Sequence, residues 1–472
     1  MQVREVREPV THFGIGQQHP KNLRIMFNNG LTQNVTEVEP STLIEEVQEL
    51  KGSCPFVYGW DGEQFQLITD LLWNAPLGLQ VARGQVLPDR RWEYLLLPGE
   101  LMQPKDGHYE LRITEELWEV AYFDHIALTA VDHPANVEVF SNEKVGPASI
   151  AEPRIFSAQQ KIFAHSATDS QGRDCLAKLT KVDRDFVQAF DQLICQGLAE
   201  PHFIELDFGT LDPSQPWRLF LNGWMHPADT SLNIGMSQNP DRLGPEPPSL
   251  WVLDQAGKWI CAQPFMGFPG GKPKSIVIDL AGVFQSDDHR IRIGSSQQLY
   301  WDQAFVSHDS NAANFQESEL VLESAELHYR GFGRLLPRAA DQPHNYDYQN
   351  VNRSAKWSEL QGPFTRFGNV RELLQADDDR MVVMVSGDEF IAKFAMPEQP
   401  LPAGWRRDFI LHNVGWDKDA DLNTLAGDGS LPLPFKAMHS YPPPVEQTDA
   451  ADGVRRKNAD QLTRMQSRYW LE

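Results

Sequence analysis

Apolar and polar positions alternate with period two over much of this chain, in short runs broken by Gly, Pro, Asn and Asp. That pattern predicts β-strands joined by tight turns. The densest instance is 54–78, CPFVYGWDGEQFQLITDLLWNAPLG. Phe56-Val57-Tyr58 and Phe65-Gln66-Leu67-Ile68 flank Asp61-Gly62, so the segment predicts a hairpin with aromatic-rich arms. Upstream, Leu23, Ile25 and Phe27 share one strand face ahead of the turn Asn28-Asn29-Gly30. Further strands are expected at 91–97, 109–114, 117–122, 126–131 and 137–140, and Pro104-Lys105-Asp106-Gly107 turns the chain between the first two.

Residues 146–157 (GPASIAEPRIFS) read as a linker. Beyond them, strands are expected at 203–208, 217–224, 232–237, 250–253, 275–280 and 289–293. One stretch breaks the period: Val182, Phe186, Phe190 and Ile194 recur near helical spacing and predict a helix over 181–198. The last third adds strands at 320–329, 380–385, 389–394 and 409–413, a short helix over 369–375 and a polar helix over 450–470. Many short strands with few helices between them favour β-sandwiches over βαβ units. The expected fold is mainly β, with two or three sandwich domains of jelly-roll or galactose-binding-like kind. The expected division is a β remnant at 1–45, a sandwich unit at 46–145, a jelly-roll-like unit at 158–310 and a β-rich region at 311–472.

A chain of 472 residues exceeds one ordinary core, which agrees with that division. Thirteen Trp and 25 Phe suit aromatic-rich sandwich cores or aromatic binding surfaces. The net charge of −23, from 42 Lys+Arg against 65 Asp+Glu, argues against a nucleic-acid partner, because phosphate backbones repel such a surface. The same acidity serves solubility or, more sharply, Ca²⁺ binding. Cys54, Cys175, Cys195 and Cys261 allow at most two disulfides, with Cys175–Cys195 one arrangement, and their spacing shows no zinc pattern. No apolar run is long enough for a transmembrane helix, and the first residues lack the apolar core of a signal peptide. Asn34-Val35-Thr36 and Asn352-Arg353-Ser354 fit the glycosylation pattern, at a frequency close to chance for this length.

Three sets of residues invite a chemical reading. Trp224, Asp229, Asn233 and Gln238, with Tyr300, Trp301 and Asp302, combine flat aromatic faces with amides and carboxylates, as a carbohydrate site requires; the plainer reading is core Trp with turn-forming Asp. Asp417, Asp419, Asp421 and Asn423 place oxygen ligands at alternate positions, which suits a Ca²⁺ loop. Leu422 stands where an EF-hand needs Gly, so only a looser Ca²⁺ loop or a solvated acidic turn is expected. Asp124-His125 and Asp132-His133 look like an acid–base or metal set. On one continuous strand, however, the two histidines lie about 26 Å apart, which leaves each pair a strand-end role. Phe268-Pro269-Gly270-Gly271-Lys272-Pro273 lacks the spacing of a phosphate loop, and no G-x-S-x-G or H-E-x-x-H occurs.

His12-Phe13-Gly14-Ile15-Gly16, followed by Leu23-Arg24-Ile25 and Asn29-Gly30, resembles the end of an ASPIC/UnbV domain. Residues 54–78 resemble the region that follows it in bacterial FG-GAP/ASPIC proteins, relatives of the cartilage acidic proteins. So do 117–134 (LWEVAYFDHIALTAVDHP), 221–238 (LNGWMHPADTSLNIGMSQ), 267–280 (GFPGGKPKSIVIDL), 299–302 (LYWD), 365–379 (TRFGNVRELLQADDD) and 415–424 (GWDKDADLNT). The resemblance spans most of the chain but includes neither the propeller nor a whole ASPIC/UnbV domain, so the propeller's calcium sites do not carry over. It implies an exported protein, extracellular or periplasmic. The leading expectation is a non-catalytic β-sandwich protein that binds carbohydrate or a partner surface. The alternatives are a structural subunit of an extracellular or envelope assembly, and a hydrolase using paired carboxylates.

Overall fold

The computed structural model describes residues 2–463 apart from 37, 46–51, 53, 89, 192, 194, 240–243 and 310–314. Two β-sandwiches dominate it. In the larger, the strands Gln316–Leu320, Glu119–Pro134, Trp405–Asp419 and Trp92–Leu97 lie side by side, with Val382–Val385 also paired to Glu119–Pro134. The facing sheet runs Gly368–Asn369, Leu322–Tyr329, Asp388–Ala395, His108–Thr114, Phe56–Trp60, Phe65–Asp70. Alternation explains the core between them. In Trp92–Leu97, Leu95 and Leu97 point inward and meet Leu111, Phe123, Phe390 and Leu411.

The smaller sandwich stacks Ile162–Phe163, Leu299–Ser307, Arg218–Met225 and Lys274–Asp279 on Ser166–Asp169, Leu198–Asp207, Ile291–Gln297, Ser249–Leu253 and Trp259–Gln263. Leu206, Leu219, Leu250, Ile276 and Ile293 fill the space between its sheets. The mainly β fold expected from the period-two pattern is therefore present.

The segments 46–145 and 311–472, read from sequence as separate units, share both sheets of the larger sandwich. Phe56–Trp60 pairs with His108–Thr114, which pairs in turn with Asp388–Ala395. The smaller sandwich is thus an insertion into the larger one. The expected strands at 117–122 and 126–131 are one strand, Glu119–Pro134, antiparallel to Trp405–Asp419 along almost its whole length. The register shifts once, between Val414 and Gly415. A Cβ on Gly415 would sit 2.1 Å from the Tyr122 carbonyl oxygen, so only glycine fits there.

Two helical expectations are corrected. The segment 181–198 is not helical at its described residues. The Asp302 carboxylate accepts the N–H groups of Asp183 and Arg184, Arg184 takes φ +66°, and Val187–Gln188 pairs with Leu299–Ser307. Ile194 lies outside the described residues. Conversely, 232–237 is not a strand but part of the helix Thr230–Ser237, whose first turn is capped by the Asp229 carboxylate accepting the Leu232 N–H at 2.6 Å. The 369–375 helix shrinks to the single turn Arg371–Leu373, and the terminal helix spans Thr448–Asn458, with 464–472 outside the described residues. All four cysteines carry free thiols, so Cys175 and Cys195 form no disulfide.

Buried polar contacts hold the sandwiches together. Asp70, at the end of the Phe56–Trp60 to Phe65–Asp70 hairpin, pairs with the Lys274 ammonium and accepts the Lys272 N–H. Glu143 accepts N–H groups from Leu96 in one sandwich and Ser275 in the other. Thr230 and Thr424 share a hydrogen bond at 3.1 Å.

Candidate functional site

The aromatic set expected to bind sugar is split by strand alternation. Trp224 and Tyr300 are direct cross-strand partners and stack with ring centroids 4.5 Å apart and planes 7° from parallel. The segment that was expected to be a helix covers them: Phe186 and Phe190 close the cluster, leaving both rings buried. Trp301, one residue on, points to the other side, into the core of the smaller sandwich. Asp302 is buried and engaged with the 183–184 backbone, and Asp229 caps its helix. Asn233 lines a hollow of about 220 Å³ with Val81, Met236 and Ser237, while Gln238 ends the helix at the surface. The seven residues do not converge on one open face.

A different aromatic surface does form, on the outer side of the smaller sandwich. Trp251 alternates with Leu250 and Val252, which face the core, so its indole points outward. Trp251 is the cross-strand partner of Arg292 on one side and Cys261 on the other, and Trp259 lies two residues before Cys261. The Arg292 guanidinium sits 4.1 Å from the Trp259 ring centroid and 4.2 Å from that of Phe203. Its Nε donates to Glu205 at 2.8 Å, and Arg290 reaches the same carboxylate at 3.3 Å. Phe203, Glu205, Trp251, Trp259 and Arg292 are all half-buried. The result is a half-buried aromatic patch with an arginine–carboxylate pair set among its rings. The alternation S-L-W-V-L was the signal that could have found it.

The acidic run 417–423 is also divided. Asp417 and Asp419 belong to the strand Trp405–Asp419 and point to one face of it. Lys418 points to the other, where its ammonium donates to Tyr441 at 2.6 Å and burial pushes it down to about 7. Asp421 and Asn423 turn away to the smaller sandwich: Asp421 accepts the Ser231 hydroxyl at 2.7 Å, and the Asn423 amide donates to that same hydroxyl at 2.8 Å. The four residues therefore do not close one loop around an ion.

Asp417 and Asp419 instead meet Glu119, the direct cross-strand partner of Asp419. One carboxylate oxygen from each of the three lies within 4.8 Å of the others, and all three residues are buried. Glu119 also belongs to a second group of the same tightness with Glu115 and Cys54. Glu115 begins the connection from His108–Thr114 to Glu119–Pro134, and the Cys54 thiol donates to its Oε1 at 2.7 Å. Burial, then the charge of Glu119, pushes the Glu115 carboxyl well above the usual range. Burial and the same carboxylates hold the Cys54 thiol far above its ordinary value. Neighbouring Glu116 faces elsewhere and is paired with Arg330 at 2.8 Å.

The two Asp–His pairs lie on one strand and do not combine. The Asp124 carboxylate accepts the N–H groups of Asp378 and Asp379, Asp132 clasps Arg407 at 2.6 Å, and His133 meets Asp408 at 2.9 Å.

Compared with protein-family models, curated proteins and solved structures, the chain matches none.

Proposed function

We propose that this chain is a non-catalytic binding module that takes carbohydrate on the outer face of its smaller sandwich. The observation supporting this is the patch built by Trp251, Trp259, Phe203, Arg292 and Glu205. Half-buried indoles offer flat apolar surface to sugar C–H faces, and a fixed arginine–carboxylate pair offers donors and acceptors to hydroxyls. The ligand class expected from sequence is kept; the residues that would contact it are new. Export rests on the family resemblance alone, and the unpaired thiols lend it no support. Among the described residues, no helix is long and apolar enough to cross a membrane.

A glycan array with the purified chain tests the reading. Binding is expected, with loss of signal in Trp251→Ala and Trp259→Ala variants that keep the wild-type circular dichroism spectrum. A blank array for the wild-type chain would remove the carbohydrate reading.

A second reading follows from the same patch. Trp and Arg are the side chains that dominate protein interfaces, so a structural subunit would also seat a partner here. Native mass above that of one 53.6 kDa chain, reduced to the monomer by Trp259→Ala, would favour it over sugar binding. The hydrolase alternative gains no support, because the gathered carboxylates at 115, 119, 417 and 419 are each at most 2% exposed, out of reach of a polysaccharide.

A further inference from the structure

The acidic cluster inside the larger sandwich has no place in sugar binding, and its geometry asks for a separate explanation. Two facts define it. Glu119, Asp417 and Asp419 direct carboxylate oxygens to within 4.8 Å of one another, deep in a sandwich where charges are costly. Next to them, Glu115 is fully buried, and its Oε2 has no hydrogen-bond partner among the described residues, while Oε1 takes the Cys54 thiol. A buried carboxylate oxygen without a donor is expensive, and native proteins rarely leave one so.

We propose that Glu119, Asp417 and Asp419, with Glu115 beside them, bind a hard divalent cation of the Ca²⁺ class. Such an ion takes six to eight oxygens, and carboxylates supply one or two each. It would offset the repulsion between Glu119 and its cross-strand partner Asp419, and Glu119, which belongs to both tight groups, brings the Glu115 carboxylate next to the ion. The site differs from the loop expected from sequence: Asp421 and Asn423 are replaced by Glu119 and Glu115, which come from the other long strand and the connection before it. Cys54 is assigned outside the coordination shell. It lies outside the Glu119–Asp417–Asp419 group and its thiol already donates to Glu115, so the ligands that converge are all oxygens, which suits a hard cation.

The test uses the full chain, stripped with chelator and titrated separately with CaCl₂, MnCl₂, ZnCl₂ and TbCl₃. The melting temperature is expected to rise with Ca²⁺ or Mn²⁺ and to return to its starting value on chelation. Tb³⁺ is expected to bind at one equivalent, to emit under Trp excitation because Trp118 adjoins Glu119, and to be displaced by Ca²⁺. Asp419→Asn and Glu115→Gln are each expected to weaken Ca²⁺ binding at least about tenfold. Either variant suffices if the other fails to fold, and the Tb³⁺ displacement needs no variant. No melting shift with any metal and no displaceable emission would overturn the site. So would Ca²⁺ binding of unchanged strength in a folded Asp419→Asn protein. A response to Zn²⁺ alone would overturn the oxygen-ligand assignment.

Discussion

Glu119 and Asp419 face each other directly across the ladder between the long strands Glu119–Pro134 and Trp405–Asp419, as a buried pair of carboxylates. Like charges in that relation oppose strand pairing. In chelator, Asp419→Asn is therefore expected to raise stability by about 0.5–1 kcal/mol, read from urea unfolding. In saturating Ca²⁺ the same change is expected to lower it. A destabilised variant under both conditions would show that the pair is not repulsive.

The ion pair between Asp70 and Lys274 joins the Phe56–Trp60 to Phe65–Asp70 hairpin to the inserted sandwich, and both side chains are at most 1% exposed. Removing one partner leaves a buried charge uncompensated. Asp70→Ala is expected to cost at least about 3 kcal/mol, and adding Lys274→Met is expected to recover a large part of that loss. Urea denaturation of the single and double variants reads both. A double variant as unstable as the single would show that Asp70 acts through its other contacts, among them the Lys272 N–H.

Glu93 sets a dependence on pH. Burial raises its carboxyl to about 7, against the opposing pull of Lys274 and Arg90. The folded protein then binds a proton more tightly than the unfolded chain does. Its stabilising contribution is full below the unfolded value near 4.5 and is lost as pH rises to about 7. Glu93→Gln is expected to remove up to about 3 kcal/mol of that decline, measured as the difference between wild-type and variant unfolding curves from pH 4.5 to 7.5. Parallel curves would mean that Glu93 is ionised throughout.

Trp251 and Trp301 separate surface from core. Trp301→Ala is expected to cost about 3–5 kcal/mol, because it empties a position in the packed interior of the smaller sandwich. Trp251→Ala is expected to leave stability within about 1 kcal/mol and to change ligand binding alone. Thermal unfolding beside glycan binding distinguishes them, and a large loss of stability in Trp251→Ala would make the outer patch a packing element.

Local chemistry was enough for the turns and for the strand character of the chain. Asp61 Oδ1 accepts the N–H groups of Glu63 and Gln64, and Gly62 takes φ +104°, so the hairpin Phe56–Trp60 to Phe65–Asp70 is written within a few residues. Gly30, at φ +89°, does the same between Leu23–Met26 and Thr32–Val35. In strands such as Trp92–Leu97, alternation likewise marks which side is apolar.

What alternation does not carry is the identity of the partner strand. Helical spacing at 181–198 was overruled by distant contacts: Asp302 holds the 183–184 backbone with Arg184 at φ +66°, and Val187–Gln188 pairs with Leu299–Ser307, so the backbone there is spent on a strand. The pairing of Glu119–Pro134 with Trp405–Asp419 closed the larger sandwich around an inserted domain and set Glu119 against Asp419. In sequence, Asp417 and Asp419 belong with Asp421 and Asn423; in the fold, the side-chain period of two turns the first pair inward while the chain beyond the strand carries the second pair to Ser231. The residue types for a cation site were legible in the chain, but register across the long ladder chose which of them meet, because that choice depends on backbone hydrogen bonds between segments hundreds of residues apart.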